Sequence, residues 1–417
     1  MSEYECLTNV LPGTELPDYQ RMGMRDVFVN NKMLLAFDTG TGKTFTYAGI
    51  VRGLLNRNPF KKHLLIIIND SIIQVPKDVR TLAEVDVVAC DGSQEATAKL
   101  KYHWNRASIF CLTMEAMRLP ELVLFLFDHL PEIESLVIDE AHHCANWDSS
   151  DTAFMVRSLA CHIPYVVELS ATPVTRTSKQ YYRLMNLLDR SRSMHRDETY
   201  LGKYVDRYLP VNRGDYDMKG DYIPTLVPVE PTLDQRKKQH GVVFRNLKGT
   251  GATPQVKALV EFLQSRLKDG KRVIIYIHYH DSRHWVEQNL AEQGISFVSM
   301  HGRIRKRSEK EAILEKFRSG QVDVLITSVT ESLNIDADVV VFYEFTTLVK
   351  QVMGRAHRGL TGKTLEVAFV ITVESDEVEY FMKYIYERSL TIQKLLKKDY
   401  SELIAIGDQL KALDVDE

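Results

Sequence analysis

Along this chain, short unbroken runs of leucine, isoleucine and valine alternate with longer stretches whose apolar residues recur at helical spacing. The runs suit strands covered on both faces and the longer stretches suit amphipathic helices, so their alternation is the rhythm of βαβ units in a parallel sheet. In the N-terminal half the runs fall at 33–37, 63–68, 85–89, 108–113, 135–139 and 165–170. Five of them end in, or run into, a polar residue: Asp38, Asn69, Thr113, Asp139 and Ser170. Open α/β sheets bind ligands at the carboxyl ends of their strands, so these polar ends point to one shared crevice. From about 191 to 253 the rhythm stops. Arg213-Gly214-Asp215, Lys219-Gly220-Asp221 and the proline-bearing stretch 224–231 read as loops and an extended crossing. A fresh series follows, with strands at 272–278, 296–300, 323–327, 339–343 and 364–372 and helices at 256–268, 282–293 and 306–318. The expectation is an α/β chain with two tandem parallel-sheet domains, 1–223 and 252–375, a linker at 224–251 and a short helical tail at 376–417.

Composition narrows the class. Of 417 residues, 44% are hydrophobic and 26% charged, ordinary for a globular protein with more than one core. A formal net charge of −3 gives no overall attraction for a polyanion, so nucleic-acid contact has to come from a local groove. The five cysteines, Cys6, Cys90, Cys111, Cys144 and Cys161, lack C-x-x-C spacing, which suits a reducing, cytoplasmic-type compartment. Cys144 stands near His142 and His143, but adjacent residues do not readily ligate one zinc ion. No apolar run approaches the ~18 residues of a membrane span, so no membrane partner is expected.

Four stretches carry chemistry. Thr39-Gly40-Thr41-Gly42-Lys43-Thr44 follows a strand and leads into a helix-compatible segment, the layout of a phosphate-binding loop. Backbone N–H groups cradle phosphates there, Lys43 reaches the β- and γ-phosphates, and the Thr44 hydroxyl holds magnesium. A side chain at Gly40 or Gly42 would keep the backbone from closing on the phosphates. Phe37 departs from the full G-x-x-x-x-G-K-T pattern, which wants a small residue there. Asp139-Glu140-Ala141-His142 ends another strand, with Asp139 suited to magnesium and Glu140 to orienting and deprotonating a water. Ser170-Ala171-Thr172-Pro173 ends the next, its small hydroxyls suited to bonding the acidic motif. Finally Gln351, Arg355 and Arg358 fall at i, i+4 and i+7 of a helix, an amide and two guanidiniums aimed one way as a γ-phosphate clamp.

In this order across two domains, GTGKT, DEAH, SATP and Q-x-x-G-R-x-x-R resemble the superfamily 2 helicases and translocases. The ending Arg355-Ala356-His357-Arg358-Gly359 and the early Leu16-x-x-Tyr19-Gln20 are most similar to the Swi/Snf-type branch of DNA translocases, and also to small phage helicases. The resemblance implies two RecA-like domains sharing one ATP with magnesium. Lys43, Thr44, Asp139 and Glu140 would come from the first and Gln351, Arg355 and Arg358 from the second. It also implies that Gln20 reads the adenine edge with Tyr19 nearby; without it, Tyr19-Gln20 is an exposed helix start. Less directly, it assigns nucleic-acid contacts to Ser71, Thr113, Thr327 and Ser328, and to Arg303 within the basic run Arg303, Arg305, Lys306 and Arg307, whose other reading is a solvated helix start. Where this family's coupling motif has glycines, the chain has Ser332 and Asn334, beside Glu331.

The function expected is an ATP-driven motor that translocates on and remodels DNA, with duplex or branched DNA favoured, single-stranded DNA a second option and RNA less favoured. The alternatives are a strand-separating helicase on DNA or RNA and a non-hydrolysing scaffold. A monomer, targeted by partner proteins or by the tail, is expected, in the nucleoid of a bacterium or the host cytoplasm of a phage.

Overall fold

The computed structural model describes residues 10–175, 177–189, 206–216, 221–232, 253–304, 306–328, 335–344, 346, 349–356 and 364–415. They divide into two compact units, Met1–Asp215 with Leu395–Lys397, and Tyr216–Lys394 with Lys398–Glu417.

The first unit is built on a seven-stranded sheet: β1 (Lys32–Phe37), β2 (Lys62–Ile67), β3 (Val87–Cys90), β4 (Ile109–Thr113), β5 (Ile133–Ile138), β6 (Tyr165–Leu169) and β7 (Tyr208–Val211). Every pairing is parallel, in the order β3-β4-β2-β5-β6-β1-β7. Helices on both faces explain why β1, β2 and β4 are almost wholly buried and read as unbroken apolar runs. Because all strands run one way, the loops leaving β4, β2, β5, β6 and β1 emerge side by side along one edge.

The second unit carries a six-stranded sheet ordered β10-β11-β9-β12-β13-β8, again all parallel. Its strands are β8 (Tyr222–Val229), β9 (Val273–Tyr276), β10 (Phe297–Met300), β11 (Val324–Thr327), β12 (Val339–Phe342) and β13 (Leu365–Thr372). Val256, Leu259 and Leu263 of the helix Pro254–Lys268 fill the core over β9 and β12, and that helix starts where Thr253 Oγ1 accepts the Val256 N–H. The tail is helical, and its last helix, Ser401–Val415, packs along β8. Among the described residues no helix is long and apolar enough to cross a membrane.

Two edge strands correct the expected organisation. Residues 224–229, expected in the linker, and 222–223, expected in the first domain, form β8 of the second sheet. β7 likewise lies in a stretch expected to be loop. Both contain proline, which discourages a strand assignment but is tolerated at an edge. The carbonyls of Asp221 and Val229 accept from β13, so odd-numbered residues face the ladder and Pro224 and Pro228 fall on the open side, where no N–H is needed. Pro210 does the same in β7, since Arg207 and Val211 bond to β1. The rest of the expected linker, 233–251, lies outside the described residues.

One contact anchors the first helix to β1. Phe37 is fully buried, meets Tyr19 edge-on at 6.0 Å, and its ring tip lies 2.9 Å from where a Cβ on Gly23 would stand. The helix Asp18–Asn30 can approach the end of β1 only because Gly23 is bare. Gly23→Ala should therefore destabilise the first unit by about 1–3 kcal/mol through overpacking. Denaturant unfolding measures this, and a neutral result contradicts the proposed contact.

Candidate functional site

β1 ends at Phe37 and the chain turns through Asp38–Gly42 into the helix Lys43–Arg57. Gly40 and Gly42 both have positive φ, +81° and +75°, which side-chain-bearing residues rarely adopt. The two glycines differ in surroundings. A Cβ on Gly40 would meet nothing within 4 Å, whereas one on Gly42 would stand 2.4 Å from Gln20 Nε2. The Thr41 hydroxyl donates to Asp38 O at 2.7 Å, and Asp38 Oδ2 accepts the Arg213 N–H at 3.2 Å, so the turn is braced from inside and from beyond β7.

Tyr19 and Gln20 sit against this loop. The Tyr19 hydroxyl donates to Thr41 O at 2.9 Å, and Gln20 Nε2 donates to Thr41 O at 2.8 Å and Gly42 O at 3.4 Å. Both residues are buried, so neither is an exposed helix start. Gln20 Oε1 is buried with no protein donor, an acceptor of the kind an adenine amino group would satisfy.

Lys43 begins the helix. Its Nζ is buried, makes no hydrogen bond, and has Glu140 Oε1 at 3.7 Å. Glu140 follows β5 in a left-handed backbone conformation, φ 49° and ψ 48°, a strain of about 1–3 kcal/mol that such sites keep when it aims a side chain. Asp139 Oδ1 accepts the Glu140 N–H at 3.0 Å. On the other side of Glu140, His142 Nδ1 lies 3.5 Å from Oε2 and 3.2 Å from Ser170 Oγ, which in turn accepts the Thr172 N–H. β6 carries Ser170 between β5 and β1, so the three motifs occupy three adjacent strand ends. The structure thus brings together Thr39, Gly40, Thr41, Gly42, Lys43, Thr44, Asp139, Glu140 and Ser170 within one unit.

Sequence reasoning passed over Tyr47. Its ring is 1% exposed one helical turn beyond Thr44. Burial and then the Asp139 carboxylate push its hydroxyl well above the usual phenol range, so it stays protonated.

The residues assigned to nucleic acid fare unevenly. Ser71 is half-buried in the short turn Asn69–Ser71 after β2, and its N–H donates to Ile68 O. Thr113 is fully buried, with its Oγ1 accepting the Ala116 N–H at 3.2 Å, and Thr327 is fully buried as well. A buried hydroxyl does not touch a phosphate backbone, so both assignments are corrected to structural ones. Arg303 is exposed and donates toward His280 Nε2 at 3.1 Å, while Ser328 is half-buried. These two leave the same ends of the neighbouring strands β10 and β11.

In the second unit, Gln351 and Arg355 lie on the helix Val349–Ala356, Gln351 buried and Arg355 half-buried. Arg355 O and Ala356 O accept the N–H groups of Ile335 and Ala337, which ties this helix to the segment before β12. Glu344 was also missed: its Oε2 accepts the His278 and Tyr279 N–H groups, each at 2.8 Å, locking the loop after β9 to the end of β12. Arg358, Glu331, Ser332 and Asn334 lie outside the described residues.

Residues 13–175 match the family described as type III restriction enzyme, res subunit, and residues 254–359 match the helicase conserved C-terminal domain. The chain is 22% identical to the uncharacterized ATP-dependent helicase YqhH of Bacillus subtilis over 448 aligned positions, covering 88% of this chain and 77% of that one. It is 25% identical to UvrABC system protein B of Aliivibrio fischeri over 305 positions, covering 69% of this chain but only 41% of that relative's length. The Hef helicase domain of Pyrococcus furiosus shares the fold with a TM-score of 0.56 at 15% identity, covering 88% of this chain and 98% of that one.

The two loop glycines should separate in experiment. Gly42→Ala meets both the backbone conformation and the Gln20 amide, and should cost about 2–3 kcal/mol of stability without any ligand. Gly40→Ala should cost about 1 kcal/mol and act mainly on nucleotide affinity. Thermal unfolding of the two variants without ligand checks this, and equal losses would remove the distinction.

Proposed function

We propose a nucleic-acid-dependent ATP motor, on the premise that the chain belongs to the superfamily 2 helicases and translocases. The observation that supports the reading most is the buried Lys43 ammonium, which makes no hydrogen bond at the head of a glycine turn. A buried cation with unused donors is costly unless an anion completes it, and a nucleotide's phosphates fit that need.

ATP with magnesium fits the first unit's residues. Lys43 and the backbone N–H groups of 40–44 would hold phosphates, Thr44 and Asp139 the metal, and Gln20 Oε1 the base. Bound magnesium neutralises phosphate charge. Glu140, buried and aimed by its strained backbone, would accept the proton of the attacking water, with His142 and Ser170 fixing its direction. By the sequence resemblance, Gln351, Arg355 and Arg358 complete hydrolysis from the second domain, so the cycle of ATP binding and release would move one domain on the other. Ser71 in the first domain and Arg303 and Ser328 in the second would track a nucleic-acid backbone. The R-A-H-R-G ending favours duplex or branched DNA, and strand separation is the competing reading. A monomer in a cytoplasmic-type compartment, targeted by partner proteins, completes the proposal.

ATP turnover should rise on adding nucleic acid, most with duplex or branched DNA, less with single strands and least with RNA. Strong stimulation only by single strands, together with duplex unwinding, would favour the helicase reading; no stimulation by any would overturn the motor. Arg355→Ala should keep nucleotide binding while lowering turnover by about 10³. Normal turnover in that variant contradicts the second domain's contribution.

A further inference from the structure

We infer that Lys350 and Glu402 are positioning residues for Arg355, so that the helical tail aims the arginine of the second unit. The inference deepens the ATPase reading and rests on it. Arg355 lies on a helix of eight residues, Val349–Ala356. Val349, Val352, Met353 and Ala356 form its buried stripe at i, i+3, i+4 and i+7. A two-turn stripe resists rotation about the helix axis weakly, so the aim of Arg355 depends on further anchors. One holds the C-terminal end, where Arg355 O and Ala356 O accept the N–H groups of Ile335 and Ala337.

Lys350 holds the other end. Its Nζ donates to Glu402 Oε2 at 2.8 Å, and the two side chains are 13% and 8% exposed. Glu402 lies in the first turn of the tail's last helix, Ser401–Val415. Two rings also face the ammonium: Tyr400, just before that helix, at 5.4 Å to the centroid, and Tyr222, the first residue of β8, at 5.6 Å. A charged hydrogen bond and two π faces together fix one position for the end of a long, flexible side chain. A buried pair of this kind adds little net stability over apolar residues of equal volume, and its contribution here is direction. At 3.6 residues per turn, Lys350 and Arg355 stand about 140° apart around the axis, so a fixed Lys350 sets the rotation at which Arg355 projects. Misplacing by about 1 Å a group that acts on the transition state slows a reaction by up to about 10².

Glu402→Ala removes the hold, and Glu402→Gln keeps an acceptor in its place. The test measures single-turnover ATP hydrolysis by the full chain with nucleic acid, per binding site counted with a non-hydrolysable ATP analogue, in the wild-type and Arg355→Ala backgrounds. In the wild-type background Glu402→Ala should slow hydrolysis about tenfold with the analogue's affinity unchanged, and Glu402→Gln should recover most of that loss. In the Arg355→Ala background the same change should slow hydrolysis by less than about twofold, because its effect passes through that arginine. The apolar pair Lys350→Met with Glu402→Leu fills the same space without a stranded charge, and should show the same dependence on background if Glu402→Ala does not fold. An equal fractional loss in both backgrounds, the mark of a purely structural pair, overturns the inference and leaves the ATPase reading intact. So does an unchanged rate in the wild-type background. Wild-type protein that hydrolyses no ATP with any nucleic acid overturns the ATPase reading itself, and this inference with it.

Discussion

A buried ammonium and a buried carboxylate, Lys43 and Glu140, stand 3.7 Å apart at the ends of two strands that are not neighbours. Neither charge is stable there alone, because removal from water costs several kcal/mol per ion unless a partner compensates. The first unit is arranged around keeping them close but not hydrogen-bonded. β6 fills the gap between β5 and β1 and supplies Ser170 to the histidine that flanks Glu140. The left-handed backbone at Glu140 turns its carboxylate inward, and the left-handed Gly42 starts the helix at Lys43. Strain is thus stored on the Glu140 side of a contact weak enough for a phosphate to replace.

The supports behind that contact are specific to this chain. Phe37 stands where phosphate loops usually have a small residue, and its ring packs against Tyr19 and the bare face of Gly23. That packing seats the helix whose next residue, Gln20, holds the carbonyls of Thr41 and Gly42. A departure from the motif is therefore a structural element, linking the strand core to the residues that would meet the base.

Much of this was legible in the sequence because central parallel strands are buried on both faces and stay apolar without interruption. β1, β2, β4, β5, β6, β9, β11, β12 and β13 announce themselves in that way, and the edge strands β3 and β10, free of proline, are legible too. β7 and β8 do not, since at an open edge proline is harmless and the usual strand signature disappears. The site's composition was legible from GTGKT, DEAH and SATP, but its geometry was not. Nothing in the letters shows that Glu140 is left-handed, that Gln20 Nε2 is spent on the loop, or that Glu344 pins two N–H groups. Thr113 and Thr327 show the opposite limit. A polar residue at a strand end looks like a contact, yet burial turns Thr113 into a cap for its own turn.

In the proposed reaction Glu140 activates water for a nucleotide held by Lys43. Single-turnover phosphate release from Glu140→Gln, with nucleotide binding measured on the same samples, tests it most directly. Binding that persists while release falls by about 10² or more is the predicted result. Release at the wild-type rate would contradict it.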